Sequence, residues 1–336
     1  MTGAVFKTVG LARERRSVGS IPMLRRFSLG AMSENSAKFA CEIIDLTPYF
    51  WSKTSRTTRV RGVKERFQSI EEKTKKLRDV LQLKRPEVQD FLDKLEMAWV
   101  HHDCALEGSI YSPQELTAAL HPGAVVAEAS LLPIVWEIRN HKAAVDFIRE
   151  EAKTSKKHGA LTMTFVRRVH DLLSGNTLEA QQARAQAERR ERTEKELTKE
   201  RDKAGFRKDI PLHKTYLHEI SQPAKVQPQL EKLLDWTASS EFREFHPLLQ
   251  AARVQHEFIK IFPFTETSGK VGRMLTNFIL IRNGFLPVVI VSVDRSKYYE
   301  TFRSSFTTFS NLMMDSMENS LDNGLKYFKD LSRFYR

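Results

Sequence analysis

Between residues 255 and 277 an apolar run ends at Pro263, and a short polar loop carries one carboxylate, Glu266. A new helix-forming run then begins near Gly269, with Lys270 and Arg273 in its first turn. The first N–H groups of a helix have no partner inside it, and the peptide dipoles there favour an anion. Lys270 and Arg273 are three apart, so both can lean towards the same anion. Glu266 just upstream suits a magnesium ion bridging phosphates. These residues make a candidate phosphate site, with an ordinary helix–loop–helix corner as the alternative.

Most of the surrounding chain has helical periodicity. Residues 65–83 and 86–105 carry apolar side chains at three- and four-residue spacing, and Pro86 suits a first helical turn. Ser112-Pro113-Gln114-Glu115 has the order of an N-cap, a proline and an acidic first turn. Further amphipathic runs cover 131–151, 165–173, 226–236, 246–261 and 269–282, and Asn283-Gly284 closes the last of them. One or two more helices follow from about Ser296. Only 214–220, bounded by Pro211 and Pro223, alternates like a strand. The fold class expected is all-α, a helical bundle with one short hairpin-like excursion.

Composition narrows the function classes. Lys and Arg total 54 against 42 Asp and Glu, a net +12 over 336 residues with 41% hydrophobic content, which is a globular composition. Two cysteines, Cys41 and Cys104, exclude a disulfide framework and are too sparse for a zinc site. The run 274–293 is broken by Asn277, Arg282, Asn283, Gly284 and Pro287, so no transmembrane helix is expected. Residues 1–32 hold Lys7, Arg13, Arg15, Arg16, Arg25 and Arg26 against the single acid Glu14, with Ser17, Ser20 and Ser28 among them. That pattern fits a cleaved organellar presequence or a basic tail, leaving mitochondrial and cytoplasmic locations both open. The remaining positive charge forms no basic stripe, so nucleic acid is not an expected partner. Residues 179–204 alternate acids and bases with almost nothing apolar, and a helix polar all round cannot join a core. A solvated helical or disordered insertion is expected there.

The stretch Phe262-Pro263-Phe264-Thr265-Glu266-Thr267-Ser268-Gly269-Lys270-Val271-Gly272-Arg273 resembles the signature of the Fic (Fido) family, His-Pro-Phe-x-Asp/Glu-Gly-Asn-Gly-Arg-x-x-Arg. Pro263, Phe264, Glu266, Gly269 and Arg273 match without a gap. Flanking text is similar too: Phe258-Ile259-Lys260-Ile261 before, Asn283-Gly284-Phe285-Leu286-Pro287 after, Asp103-Cys104-Ala105-Leu106-Glu107-Gly108 far upstream, and Tyr298-Tyr299 downstream. The resemblance implies a Fic/Fido-type bundle over residues 91–330, with 214–220 as a β-hairpin flap; before it, composition and periodicity lead us to expect a basic disordered or presequence-like tail over 1–40 and an N-terminal helical region over 41–90. The resemblance also implies descent from proteins that transfer AMP from ATP to Ser, Thr or Tyr hydroxyls of a protein target.

The departures from that pattern fall on the chemistry. In the family the motif histidine is the general base, and here Phe262 stands in its place. A phenyl ring accepts no proton, and positioned proton transfer is typically worth about 10²–10⁴-fold. His256 lies six residues earlier on the same helix, some 240° round its axis, and His218 sits in the flap-like segment. Neither is placed by sequence to substitute. Thr267 and Ser268 replace Gly and Asn, and Lys270 replaces an arginine, losing its bidentate fork. The resemblance assigns nucleotide contacts to Thr267, Ser268, Gly269, Lys270 and Arg273, the metal to Glu266, and an inhibitory pairing with Arg273 to Glu107. Asp103, where the family has Ser or Thr, is expected to keep a capping role. ATP and magnesium are therefore expected to bind weakly at best. The functional expectation is a pseudoenzyme or a nucleotide- or protein-binding module. The alternative is an active adenylyltransferase, or a related transferase, with a non-standard base.

Overall fold

The computed structural model describes residues 62–120, 131–155, 159–177, 205–211 and 218–334. The chain runs α1 (Val63–Leu81), α2 (Pro86–Glu107), α3 (Pro113–Leu120), α4 (Leu132–Thr154), α5 (Met163–Ser174), α6 (Pro223–Ala238), α7 (Ser240–Glu244), α8 (Pro247–Ile261), α9 (Ser268–Arg282), α10 (Arg295–Thr301) and α11 (Phe306–Phe334). The fold is all-α, and there is no strand among the described residues. The expected hairpin largely falls on 212–217, which lies outside them. So do the basic segment 1–32 and the whole of the charged insertion 179–204.

At the centre stand α8 and α9, joined by the loop 262–267. Every residue of α9 except Ile281 is buried, because α8 covers one side and α4, α5 and α2 cover the rest. Gly272 permits the close approach of α8. A Cβ there would come within 3.3 Å of Ile259 Cδ1 and 3.4 Å of Phe258 Cδ1. Along the outside, α1 runs beside α11, with Ile70 and Leu77 in the common core and ion pairs Arg66–Asp315, Arg66–Glu318 and Lys73–Asp322 at its edge.

Local chemistry sets the helix ends. At α3, Ser112 Oγ accepts from Glu115 N at 3.2 Å while Glu115 Oε2 accepts from Ser112 N at 2.7 Å, a reciprocal capping box. Gly108 ends α2 at φ 104°, a left-handed conformation that glycine adopts without steric cost. His246 caps α8, its Nδ1 accepting from Leu248 N at 3.2 Å. At the end of α9, Asn283 is the cap and Gly284 takes the positive φ of 82°.

Candidate active site

Phe262 ends α8 in the left-handed region, φ 51° and ψ 64°, and is the only described non-glycine residue with positive φ. That conformation costs an ordinary residue roughly 1–2 kcal/mol. Two features compensate. The benzyl group is 1% exposed, and burying a phenylalanine contributes about 1.5–3 kcal/mol. The second is Arg207, itself 5% exposed, whose guanidinium donates to the carbonyls of Phe262 (2.6 Å), Asp209 (3.0 Å), Ile261 (3.3 Å) and Ser221. A cation at a helix C-terminus answers both the dipole and the orphan carbonyls. Ser221 N, donating to Lys260 O at 3.0 Å, and His218 Nε2, 3.2 Å from Ile259 O, complete the cap.

The loop that follows is closed on itself. Ser268 Oγ accepts from Phe264 N at 2.7 Å and donates to Phe264 O at 2.6 Å. Thr267 Oγ1 lies 2.7 Å from His170 Nδ1, and the His170 ring stacks on Phe264 with centroids 3.9 Å apart. Glu266 is exposed at the tip. The cradle at the start of α9 is filled from within the protein. A Cβ on Gly269 would collide with Glu107 Oε1, so the Glu107 carboxylate lies where an anion at this helix start would lie.

The two cations of α9 do not converge on one anion, as their spacing suggested. Arg273 donates to Glu107 Oε1 at 2.7 Å, to the Asp103 carboxylate, and to Asp103 O at 3.1 Å. Lys270 instead donates to Glu137 Oε1 at 2.6 Å. Burial opposes the Lys270 charge, but the Cys104 sulfur and the Glu137 and Glu107 carboxylates outweigh it and hold the ammonium above its ordinary range. Burial likewise pushes Glu137 up, and Lys270, joined by hydrogen bonds from Tyr111 and Ser109, more than reverses that, leaving the carboxyl below its usual value. Asp103 is not a cap. It lies inside α2, one turn before Glu107, so both carboxylates face Arg273 from one helix side. Its other oxygen, Oδ2, is 3.0 Å from His141 Nε2.

The residues expected here therefore come together, except that Glu266 points out and Lys270 goes its own way. His256 packs against Phe302, Phe306 and Phe309, on the far side of α8 from the loop. Four participants escaped the sequence reading: Asp103 as a ligand of Arg273, Glu137, His170 and Arg207. Two of them carried a signal: Asp103 by its spacing of four from Glu107, and His170 as a histidine on the apolar face of α5 beside Val166, Val169 and Leu173.

A nucleotide triphosphate and its metal do not fit this arrangement. The cradle holds Glu107, Lys270 is engaged by Glu137, and the Phe264 N–H is taken by Ser268. The histidines at this site, His141 and His170, are 1% and 3% exposed.

Residues 160–280 match the Fic/DOC family. The chain is 24% identical over 203 residues to protein adenylyltransferase fic-1 of Caenorhabditis elegans, covering 60% of this chain and 35% of that protein. It is 37% identical over 83 residues to protein adenylyltransferase Fic of Nematostella vectensis, 25% of this chain and 19% of that one. The matches thus span about a third or less of these relatives' length. The solved structure of C. elegans Fic-1 (residues 134–508) superposes with a TM-score of 0.60 at 19% identity, covering 79% of this chain and 71% of that structure. That likeness establishes the fold.

Proposed function

The chain carries a Fic/DOC-family domain related to protein adenylyltransferases, and we propose that this domain is a pseudoenzyme that works as a protein-binding module. The observation that supports this reading is Phe262. It holds the position of the family's general base with a buried side chain that has no lone pair. A second, independent support is the filled cradle, in which Glu107 and Arg273 answer each other's charge. Without a base or room for a terminal phosphate, the site lacks both proton transfer and the positioning on which phosphoryl chemistry depends. A protein partner, the surviving half of an ancestral target interaction, is the ligand this reading assigns to the module.

The test incubates the purified chain and its Glu107→Gly variant with magnesium and ATP labelled at the α-phosphate, alone and with cell lysate. No label on either chain or on lysate proteins is expected, and no thermal stabilisation of the unmodified chain by ATP. A ligand present at 100 times its Kd would stabilise by about 2.7 kcal/mol, which a melt would register. Label that disappears in Glu266→Ala or Arg273→Ala would overturn the reading in favour of an active transferase with a non-standard base.

A further inference from the structure

A hollow opens beside the end of α8. It is a groove of about 770 Å³ between α6, α8 and the start of α11. Its floor is apolar, made by Leu233 and Trp236 of α6, Phe245 ahead of α8, Leu249 and Ile261 of α8, and Phe306 of α11. Phe245 is 41% exposed. Part of the rim is already neutralised. Arg253 lies 3.4 Å from Glu257 and 4.8 Å over the Phe306 ring, and Glu241 accepts from the Trp236 indole at 3.2 Å. Lys232 and Lys260 stand on opposite walls, and Lys260 is near enough to Glu257 to help hold that carboxyl down. An apolar trough with one ammonium on each wall suits an acidic, apolar segment.

This chain contains such a segment. Residues 39–51 read Phe-Ala-Cys-Glu-Ile-Ile-Asp-Leu-Thr-Pro-Tyr-Phe-Trp, with nine of the thirteen apolar, no basic residue, and Glu42 and Asp45 three apart. The ten residues that follow, 52–61, are the opposite: Lys53, Arg56, Arg59 and Arg61 with no acid. A run so rich in aromatic and aliphatic side chains lacks the composition of a solvated tail and needs apolar surface to cover. The chain enters the described fold in the right place. Because Arg66 pairs with Asp315 and Glu318 while Lys73 pairs with Asp322, α1 and α11 run in the same direction. Gly62 therefore lies beside the N-terminal half of α11. Phe306 in the groove is nine residues before Asp315, roughly 14 Å along the helix at 1.5 Å per residue. A ten-residue connection reaches up to about 33–36 Å.

We propose that residues 39–51 seat in this groove within the same molecule. Their apolar side chains cover Trp236, Phe245 and Phe306, and Glu42 and Asp45 answer Lys232 and Lys260. Ser221, Lys260 and Ile261 form the inner edge of the groove and also the capped end of α8, so the seated segment braces the turn at Phe262. This docking stands whether or not the motif loop transfers anything.

The test uses the full chain, a zero-length carbodiimide that joins carboxylates to amines, and a fluorescent synthetic peptide of residues 39–51. In the monomer band, crosslinks are expected from Glu42 or Asp45 to Lys232 or Lys260. A tethered segment acts at an effective concentration on the order of 1 mM, so a peptide with a Kd on the order of 10 μM should bind the intact chain about a hundredfold more weakly than an Ile44→Asp, Phe50→Asp chain. Adding Lys232→Glu and Lys260→Glu to that chain should abolish peptide binding. Equal binding to the intact and Ile44→Asp, Phe50→Asp chains, or binding to neither, would overturn the proposal. So would crosslinks found only in a dimer band, which would make a second copy the occupant, or crosslinks from these lysines to carboxylates of 179–204 instead.

Discussion

Replacing Arg273 with methionine tests the charge balance on which this site rests. The side chains of Arg273, Asp103 and Glu107 are 6%, 3% and 11% exposed, so the guanidinium faces two carboxylates with little help from water. Removing one partner of a buried pair typically costs about 3–5 kcal/mol, because the survivor stays buried and unpaired. An exposed pair would cost only about 0–1 kcal/mol. Methionine keeps most of the apolar stem, which confines the loss to the charge. In urea unfolding of the whole chain followed by far-ultraviolet circular dichroism, a slope of about 3 kcal/mol/M turns that loss into a midpoint lowered by about 1–2 M. Glu107→Gln alone, which removes a charge but leaves an amide oxygen to accept from Arg273, should cost about 1 kcal/mol. The double variant should then lose less than the sum of the two, since fewer carboxylates are left uncompensated. A loss below about 1 kcal/mol for Arg273→Met, or strict additivity within about 0.3–0.5 kcal/mol, would refute the argument that one buried cation holds both acids.

Four other outcomes are expected. Arg207→Lys should lower stability by about 2–3 kcal/mol in the same denaturation assay, because a lysine cannot reproduce a fork shared among four carbonyls. Gly269→Ala should lower the melting temperature by driving a methyl into Glu107 Oε1, and adding Glu107→Gly should recover part of that loss. His101 is held neutral, its pKa lowered from 6.5 to about 4 by burial first and the neighbouring His102 second. Above 6.5 neither state binds that proton. As pH falls from 6.5 to about 4 the unfolded chain binds it and the folded one does not, so stability should decline across that window and then level, by up to about 3 kcal/mol. A His101→Phe chain should lack that component of the slope. Phe262→His should leave label from ATP at background while Glu107 is in place, and label above background would contradict a closed cradle.

The elements were legible because their signals are local. Ser112-Pro113-Gln114-Glu115 reads as a helix start and forms a capping box. Asn283-Gly284 reads as a helix stop and is one. Glu107 opposite Arg273 was legible only through the family resemblance, since the two are separated by 166 positions. The other ligands were not legible. Glu137 reaches Lys270 across 133 positions, and Arg207 caps α8 from 55 positions upstream. No periodicity couples such pairs, because tertiary packing alone decides which helix faces meet. Asp103 is the instructive case. Read by type it suggested a cap, yet its spacing of four from Glu107 already put both acids on one face of a helix, aimed at whatever cation that face meets.

A cradle built to hold an anion keeps its cations at a cost, and in this protein each is answered from within. Glu107 and Asp103 answer Arg273, and Glu137 answers Lys270. Ser268 satisfies the Phe264 N–H. Arg207 answers the carbonyls that end α8. Had the cations survived only as traces of a vanished ligand, they would sit buried and unpaired, a penalty of several kcal/mol per ion. Their pairing instead makes the site part of the core, joining α2 and α4 to α9 through three ion pairs. On the proposed pseudoenzyme reading, a histidine at 262 would not by itself give transfer, since the internal carboxylates would have to be displaced as well.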